Sequence, residues 1–223
     1  MNYPEFLTRF GGAVRTKNFN PPFDLSADKT AANRRVHYPA PAPEIPPEFI
    51  RLDPWEAEYL FMVAARARHG IVETGRFNGG SVFLMACANP DVPIHSVDIA
   101  PQNDERLLSL IRDTGIGGHI DLITGDSQNC KYAQIDAFDV LFIDGDHSYD
   151  GCTRDMENWY ADLLPGGHMV LHDSYHGCPV MDACIDFMNR HDVIAHLSPW
   201  KHNNHSTHPA GSMMHFQKPR PKA

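Results

Sequence analysis

The sequence predicts an α/β domain built on a doubly wound, mostly parallel sheet of Rossmann-like type. Three observations carry that expectation. From Leu52 onward, short apolar runs alternate with helical stretches, the pattern of strands joined by crossover helices. The last two apolar runs, Val193-Leu197 and Ser212-Gln217, have no helix-sized segment between them and fit an antiparallel edge. The chain has 223 residues, 42% of them hydrophobic, which is enough for one ordinary core and too few for two full-sized domains.

Taken in order, residues 1 to 51 read as a proline-rich arm or cap, with Pro21-Pro22 and the run from Pro39 to Pro47 and no sustained apolar period. The domain proper is expected over residues 52 to 223. It opens with Asp53, Pro54 and Glu56, a capping start with proline at the first helical position. Trp55, Tyr59, Leu60, Met62 and Val63 supply an apolar face, so a helix should run to about His69. Strands are expected at Gly70-Thr74, Ile94-Ile99, Ile120-Thr124, Phe138-Asp144 and His168-Asp173. The helices between them fall at Gly80-Ala88, Asp104-Thr114, a short stretch after Ser127, and Tyr149-Leu164, which Pro165-Gly166-Gly167 ends. A further helix lies near Val180-Arg190. On Tyr149-Leu164 the charges Arg154, Asp155, Glu157 and Asp162 read as a solvated face, with Met156 and Trp159 as core.

A net charge of −9 opposes binding that neutralises phosphates, so nucleic acid and anionic membrane are expected to be no partners. The start MNYPEFLTRF lacks a basic stretch followed by an apolar one, and no uncharged apolar run approaches the roughly 18 residues of a bilayer span. A soluble, cytoplasmic protein is the expectation. Cys87, Cys130, Cys152, Cys178 and Cys184 show no C-x-x-C spacing and read as reduced and mostly buried. The 14 histidines are unusual, and several fall beside carboxylates late in the chain.

In open parallel sheets ligands sit outside the carboxyl ends of the strands. The first strand and turn read Ile71-Val72-Glu73-Thr74-Gly75-Arg76-Phe77-Asn78-Gly79-Gly80-Ser81. Gly75 lets a ligand approach the backbone, and Gly79 and Gly80 open the next helix with amide donors. Such a turn serves structure as readily as a cofactor, and Arg76 and Phe77 depart from the G-x-G-x-x-G of dinucleotide binders. Asp98 ends the second strand, 23 residues after Gly75, where a carboxylate can accept from both hydroxyls of a ribose. The third strand ends in Thr124-Gly125-Asp126-Ser127 at the same edge. A nucleoside-containing cofactor is implied.

With Ile143-Asp144-Gly145-Asp146-His147-Ser148-Tyr149 and Pro165-Gly166-Gly167, these segments resemble class I S-adenosylmethionine-dependent methyltransferases over about residues 52 to 218. Within that superfamily the chain is most similar to metal-dependent O-methyltransferases that act on macrolide sugars and other natural products. The resemblance implies strand order 3-2-1-4-5-7-6 and an S-adenosylmethionine site formed by Glu73, Thr74, Gly75, Asn78, Gly80, Ser81, Asp98, Gly125, Asp126, Ser127 and Asp144. By it, Glu73 and Gly75 border the methionine part, Asp98 holds the ribose, and Asp126 with Ser127 lies by the adenine.

A second constellation sits one strand over. If the fourth and fifth strands are neighbours, roughly 4.8 Å apart, Asp144, His172 and Asp173 come close enough to share a divalent cation. The resemblance makes Asp144 and Asp173 magnesium ligands and His147 the base that takes the acceptor's proton, with Asp144 in the catalytic set. His172 stands where the family has an acid, which opens the choice to Mg2+ or Mn2+ and, behind them, Fe2+ or Zn2+. Bland readings stand beside these: Asp146 and Asp144 as turn and cap residues, His147 packing on the next helix, His172 as a structural histidine. His176 is a weaker candidate.

Asn20-Pro21-Pro22-Phe23 matches the tetrapeptide of methyltransferases acting on exocyclic amines, but no strand precedes it, so it reads as loop. His202, His205 and His208, with Trp200 and His196 upstream, read as a loop that walls the acceptor pocket rather than as a second metal site. The expected activity is methyl transfer to a hydroxyl of a small molecule such as a sugar, catechol or other natural product, in a chain that can self-associate through its arm. The rivals are a non-heme iron oxygenase using His172, Asp173 and a second histidine, and a nucleoside-binding module without chemistry.

Overall fold

The computed structural model describes residues 1–10, 49–116, 119–129, 131–132, 135–175, 177–197 and 212–221. Its element order is α1 (Tyr3–Phe10), α2 (Pro54–Ala64), β1 (Ile71–Thr74), α3 (Gly80–Ala88), β2 (Ile94–Asp98), α4 (Asp104–Thr114), β3 (Ile120–Thr124), β4 (Phe138–Ile143), α5 (Tyr149–Tyr160), β5 (Leu163–Leu171), α6 (Pro179–Arg190), β6 (Ile194–Leu197) and β7 (Met214–Gln217). The strands form one seven-stranded sheet in the order β3-β2-β1-β4-β5-β7-β6. Only β7 runs against its neighbours, pairing antiparallel with both β5 and β6. This is the expected doubly wound architecture.

The sheet separates two apolar layers. On one face Leu60, Phe61, Phe83, Leu84 and Leu107 pack with Phe142 and Val170. On the other, Met156, Trp159 and Phe187 pack with Leu141, Met169 and Phe216. Strands covered on both faces read as continuous apolar runs, which is why Ile71–Thr74 is buried along its whole length. Met156 and Trp159 are core, as expected. Cys87, Cys152, Cys178 and Cys184 are free and buried, while Cys130 lies outside the described residues. Among the described residues no helix is long and apolar enough to cross a membrane.

Several boundaries differ from expectation for local reasons. Helix α2 stops at Ala64 rather than near His69, where Asp139 takes over by accepting from the amides of Arg68, His69 and Gly70. After Ser127 the described residues make a turn instead of a short helix, because Asp126 accepts from the amide of Gln128 and the side chain of Asn129. Strand β5 starts at Leu163, inside the segment read as helix. Phe138 pairs with Leu163 and Val140 with His168, so Pro165-Gly166-Gly167 is a bulge within a strand, with Gly166 at φ 84°. Asp155 is fully buried rather than part of a solvated face. Within the expected arm, Tyr3–Phe10 forms a helix whose Phe6 is buried 5.4 Å from the ring of Phe61. Asn20-Pro21-Pro22-Phe23, His176, Trp200, His202, His205 and His208 lie outside the described residues.

One close approach fixes the rim where the strands end. Gly75 has φ 86°, and a Cβ there would lie 2.1 Å from the carbonyl oxygen of Asp144. Its amide donates to the Val97 carbonyl at 2.9 Å, so the tips of β1, β2 and β4 are pinned together through a residue without a side chain. Gly75→Ala is expected to destabilise the fold by at least about 1–2 kcal/mol from the left-handed backbone alone, with the clash adding to it. Urea unfolding of the variant against the parent chain checks this.

Candidate active site

A cleft of about 630 Å3 runs along the carboxyl ends of β1 to β5. Gly75, Phe77, Asp98, Ile99 and Ala100 line one side, Asp126, Ser127 and Gln128 extend it, and Asp144, Gly145, Asp146, His147, His172 and Asp173 form the other. Of the residues singled out in the sequence, Gly75, Asp98, Asp126, Ser127, Asp144, His147, His172 and Asp173 therefore meet in one cavity. Glu73, Thr74, Asn78, Gly80, Ser81 and Gly125 lie outside its lining and support it from behind.

Glu73 is wholly buried under the turn, accepting from the hydroxyls of Ser81 and Ser96. Burial pushes its carboxyl up to about 7, against the pull of those two hydroxyls. Gly80 is packed so closely on the chain at Phe49 and Ile50 that a Cβ would meet the Phe49 carbonyl at 2.3 Å. Gly125 similarly leaves room for the Tyr132 hydroxyl, which donates to the Asp126 carbonyl at 3.1 Å. Asn78 accepts from Asn103 at 2.7 Å and ties the turn to the start of α4. Thr74 donates to buried Asp155 at 3.3 Å, and burial pushes that carboxyl up to about 6.

Asp98 is held by the turn it faces. Its Oδ2 accepts from the amides of Arg76 and Phe77 at 2.7 and 2.8 Å, and its Oδ1 from the amide of Ala100 at 2.7 Å. Oδ1 thus keeps acceptor capacity toward the cleft. Ile99 beside it is 73% exposed and Phe77 across the turn is 52% exposed, so two apolar faces border the carboxylate. Arg76 was legible only as a departure from a glycine motif. In the structure it is a buried fork on Asp104 at the head of α4, with Nε and Nη2 donating at 2.8 and 2.9 Å and a further bond to the Ser96 carbonyl.

At the other end His172 is the hub. Its Nδ1 lies 3.0 Å from Asp144 Oδ1 and 3.4 Å from Asp173 Oδ2, and its Nε2 lies 3.1 Å from Glu56 Oε2. The sequence showed Glu56 only as a capping residue. It does accept from the Asp53 amide at 2.7 Å, but it also accepts from the amide and hydroxyl of Ser212 at 2.8 Å each and faces His172 from 2% exposure. Burial opposes charge on both partners, yet Glu56 and Asp144 outweigh it and raise His172 well above the usual imidazole range, while His172 holds Glu56 and Asp144 low.

Asp173 reaches this cluster from a left-handed backbone, φ 52°, which aspartate tolerates better than most residues. His147 closes the mouth, half exposed, with Nε2 3.4 Å from Asp144 and Nδ1 3.5 Å from Asp173. Its hydrogen bond to Asp144 raises its pKa against partial burial. Asp146, exposed, accepts from the Ser148 amide at 2.8 Å, which is the turn role set beside its functional one.

The donor set suits a divalent cation. One ligand atom each from Asp144, His172 and Asp173 lies within 4.8 Å of the others, and Glu56 takes the Nε2–H of His172, leaving Nδ1 to face the carboxylates. An oxygenase site calls for two imidazoles and one carboxylate; here two carboxylates, Asp144 and Asp173, stand with the buried imidazole of His172 and the half-exposed one of His147.

Residues 72–174, somewhat under half of the chain, match the family model described as a methyltransferase domain. A protein of Acanthamoeba polyphaga mimivirus, described as uncharacterized, is 26% identical over 140 residues, 58% of this chain and 63% of that protein. The chain thus spans just under two thirds of that relative's length.

Among solved structures, the O-methyltransferase NovP superposes with a TM-score of 0.59 at 17% identity, over 75% of this chain and 81% of that one. The S-adenosylhomocysteine-bound methyltransferase PaMTH1 of Podospora anserina gives 0.61 at 14% identity, over 92% and 100%. TomG of Streptomyces achromogenes, an O-methyltransferase of tomaymycin synthesis solved with S-adenosylmethionine, gives 0.53 at 17%, over 74% and 79%. At such identities the likeness establishes the fold. With the match of residues 72–174 to a methyltransferase-domain model, it agrees with the methyltransferase resemblance at the level of the fold.

A buried acid with a raised pKa favours folding in its neutral form. The contribution of Glu73 is therefore fully present below about pH 4.5 and is lost as pH rises through about 7. Glu73→Gln is expected to flatten this part of the stability profile, so that its unfolding midpoint gains on the parent's between those two pH values. Thermal unfolding of both proteins across that range measures it.

Proposed function

We propose that the chain transfers the methyl group of S-adenosylmethionine to a hydroxyl of a small molecule, with a divalent cation at Asp144, His172 and Asp173 and with His147 as proton acceptor. The observation that carries this reading is the meeting of two half-sites in one cleft: Asp98, Ile99, Asp126 and Ser127 on the β2 and β3 tips, and Asp144, His147, His172 and Asp173 on the β4 and β5 side. The methyltransferase family match over this stretch and the cofactor-bound neighbours support S-adenosylmethionine as the nucleoside occupant.

On this reading the open capacity of Asp98 Oδ1 accepts from the ribose, and the exposed faces of Ile99 and Phe77 cover a purine. When bound, the cation positions the acceptor hydroxyl and lowers its pKa. Two carboxylates and one imidazole suit manganese or magnesium, with the nitrogen also admitting iron. The hydrogen bond to Asp144, with the charge of Asp173 behind it, raises the pKa of His147. Neutralising these carboxylates favours the basic form of the imidazole, beside the place where the hydroxyl proton is lost. Sugars, catechols and other natural products are the acceptor classes to screen.

Isothermal titration with S-adenosylmethionine tests the cofactor half: the parent chain is expected to bind, and Asp98→Ala to bind about 1–3 kcal/mol more weakly. A parent chain without affinity for S-adenosylmethionine overturns the reading. For the chemical half, His147→Ala is expected to keep cofactor affinity while methyl transfer to an accepted hydroxyl falls by about 10²–10⁴-fold. Unchanged turnover would remove His147 from the role of base.

A further inference from the structure

The edge of the sheet carries a second convergence of side chains. His168 on β5, His215 on β7 and His196 on β6 each offer one nitrogen, and these nitrogens all lie within 4.8 Å of one another. His168 Nδ1 stands 2.9 Å from His215 Nε2. The ring centroids are 5.0 Å apart for His168 and His215, 4.6 Å for His196 and His215, and 5.8 Å for His168 and His196.

Strand register explains the convergence. His168 pairs with Gln217 and Val170 with His215, so His168 and His215 share a face as diagonal neighbours. On β6, Ala195 opposes Phe216 and Leu197 opposes His215, which leaves His196 as the extra residue of a bulge. Bulges re-aim side chains, and this one sets the His196 ring against that of His215.

The outer nitrogens of two of the rings are already engaged. Tyr59 OH lies 2.6 Å from His215 Nδ1, and His196 Nε2 lies 3.1 Å from Gln217 Oε1. With His215 Nδ1–H donating to Tyr59 and His196 Nε2–H to Gln217, His215 Nε2 and His196 Nδ1 carry lone pairs, and an ion would take the place of the hydrogen bond between His168 Nδ1 and His215 Nε2; a bond at the far nitrogen fixes the ring orientation of a metal ligand. The cluster contains no carboxylate.

We propose that His168, His196 and His215 form a three-imidazole site for a zinc-class divalent cation, separate from the carboxylate cleft. Three imidazoles with a fourth position open suit zinc, whereas the two aspartates of the cleft suit harder ions. His168 stands four residues before His172, which follows the end of β5, roughly 13 Å away along the extended chain, so the two sites bind independently. The ion joins β5, β7 and β6 by side chains from all three edge strands.

The test uses the full-length, tag-free protein stripped with chelator and titrated with Co2+, followed by visible absorption and by displacement with Zn2+. One equivalent with the intense absorption of tetrahedral cobalt is expected, and it should persist in the Asp144→Asn, Asp173→Asn double variant. His196 is exposed, so His196→Ala leaves the fold intact and should weaken the ion at least about tenfold. Tyr59→Phe should weaken it with all three ligands kept. Zn2+ should raise the thermal midpoint of the aspartate double variant, and raise it less at the same zinc concentration when His196→Ala is added to that variant. An absent tetrahedral signal, a signal lost with the aspartates, or equal zinc affinity in His196→Ala overturns the proposal.

Discussion

The close contact between Gly75 and the Asp144 carbonyl is the constraint on which the cleft depends. At this point β1 has β2 on one side and β4 on the other, so the chain's successive crossovers leave in opposite directions. Ligands of open α/β sheets lodge at such a reversal because the loops there part instead of packing over the strand ends. Bringing two main chains to within van der Waals reach at the reversal draws the β2 and β4 tips toward each other. The half of the cleft with Asp98 and the half with Asp144 then share one wall, where a bulkier residue at Gly75 would wedge them apart.

Helix α2 organises the polar side of the same face. Its first turn gives Glu56 to His172, and one turn later Tyr59 reaches His215. Both contacts cross from a helix to the sheet, one just past the end of β5 and one on β7, in a layer otherwise filled by Leu60, Phe61, Val63 and Val170. Buried polar groups are costly unless each finds a partner, and here the histidines and the helix satisfy one another. Glu56 also accepts both hydrogen bonds that Ser212 offers it at the start of the β7 segment, so the antiparallel strand, α2 and the rim are tied through one carboxylate.

What could be read from the chain and what could not divides along the range of the interactions. The alternation of strands and helices, the antiparallel β7 and the meeting of Asp98, Asp126, Asp144 and Asp173 follow from apolar periodicity and from the rule that ligands gather at carboxyl ends, both of which are written locally, while the strand order was available only through the family resemblance. Glu56 was visible only as the third residue of a helix, since its partner His172 is 116 residues away. Arg76 looked like a misfit in a glycine turn, yet its buried guanidinium answers the partly exposed Asp104 across 28 residues in an ion pair that no spacing rule anticipates. Asp155 fell on a charged helix face by periodicity, but the Thr74 hydroxyl behind β1 gives it a reason to be buried. In Leu163–Leu171 the Pro-Gly-Gly sequence signalled an end to helix and concealed a strand already under way, because a bulge and a terminus use the same residues.

Asp173 carries a consequence for which acids the rim tolerates. Its main chain bends with the opposite hand to that of neighbouring residues, a geometry that glycine, asparagine and aspartate accept at low cost and longer side chains do not. Exchanging aspartate for glutamate is ordinarily mild, but here it asks for one more methylene at a position whose torsions already select the short acid. The hand of the backbone and the reach of the carboxylate therefore go together, and asparagine or glycine would keep the first while giving up the second.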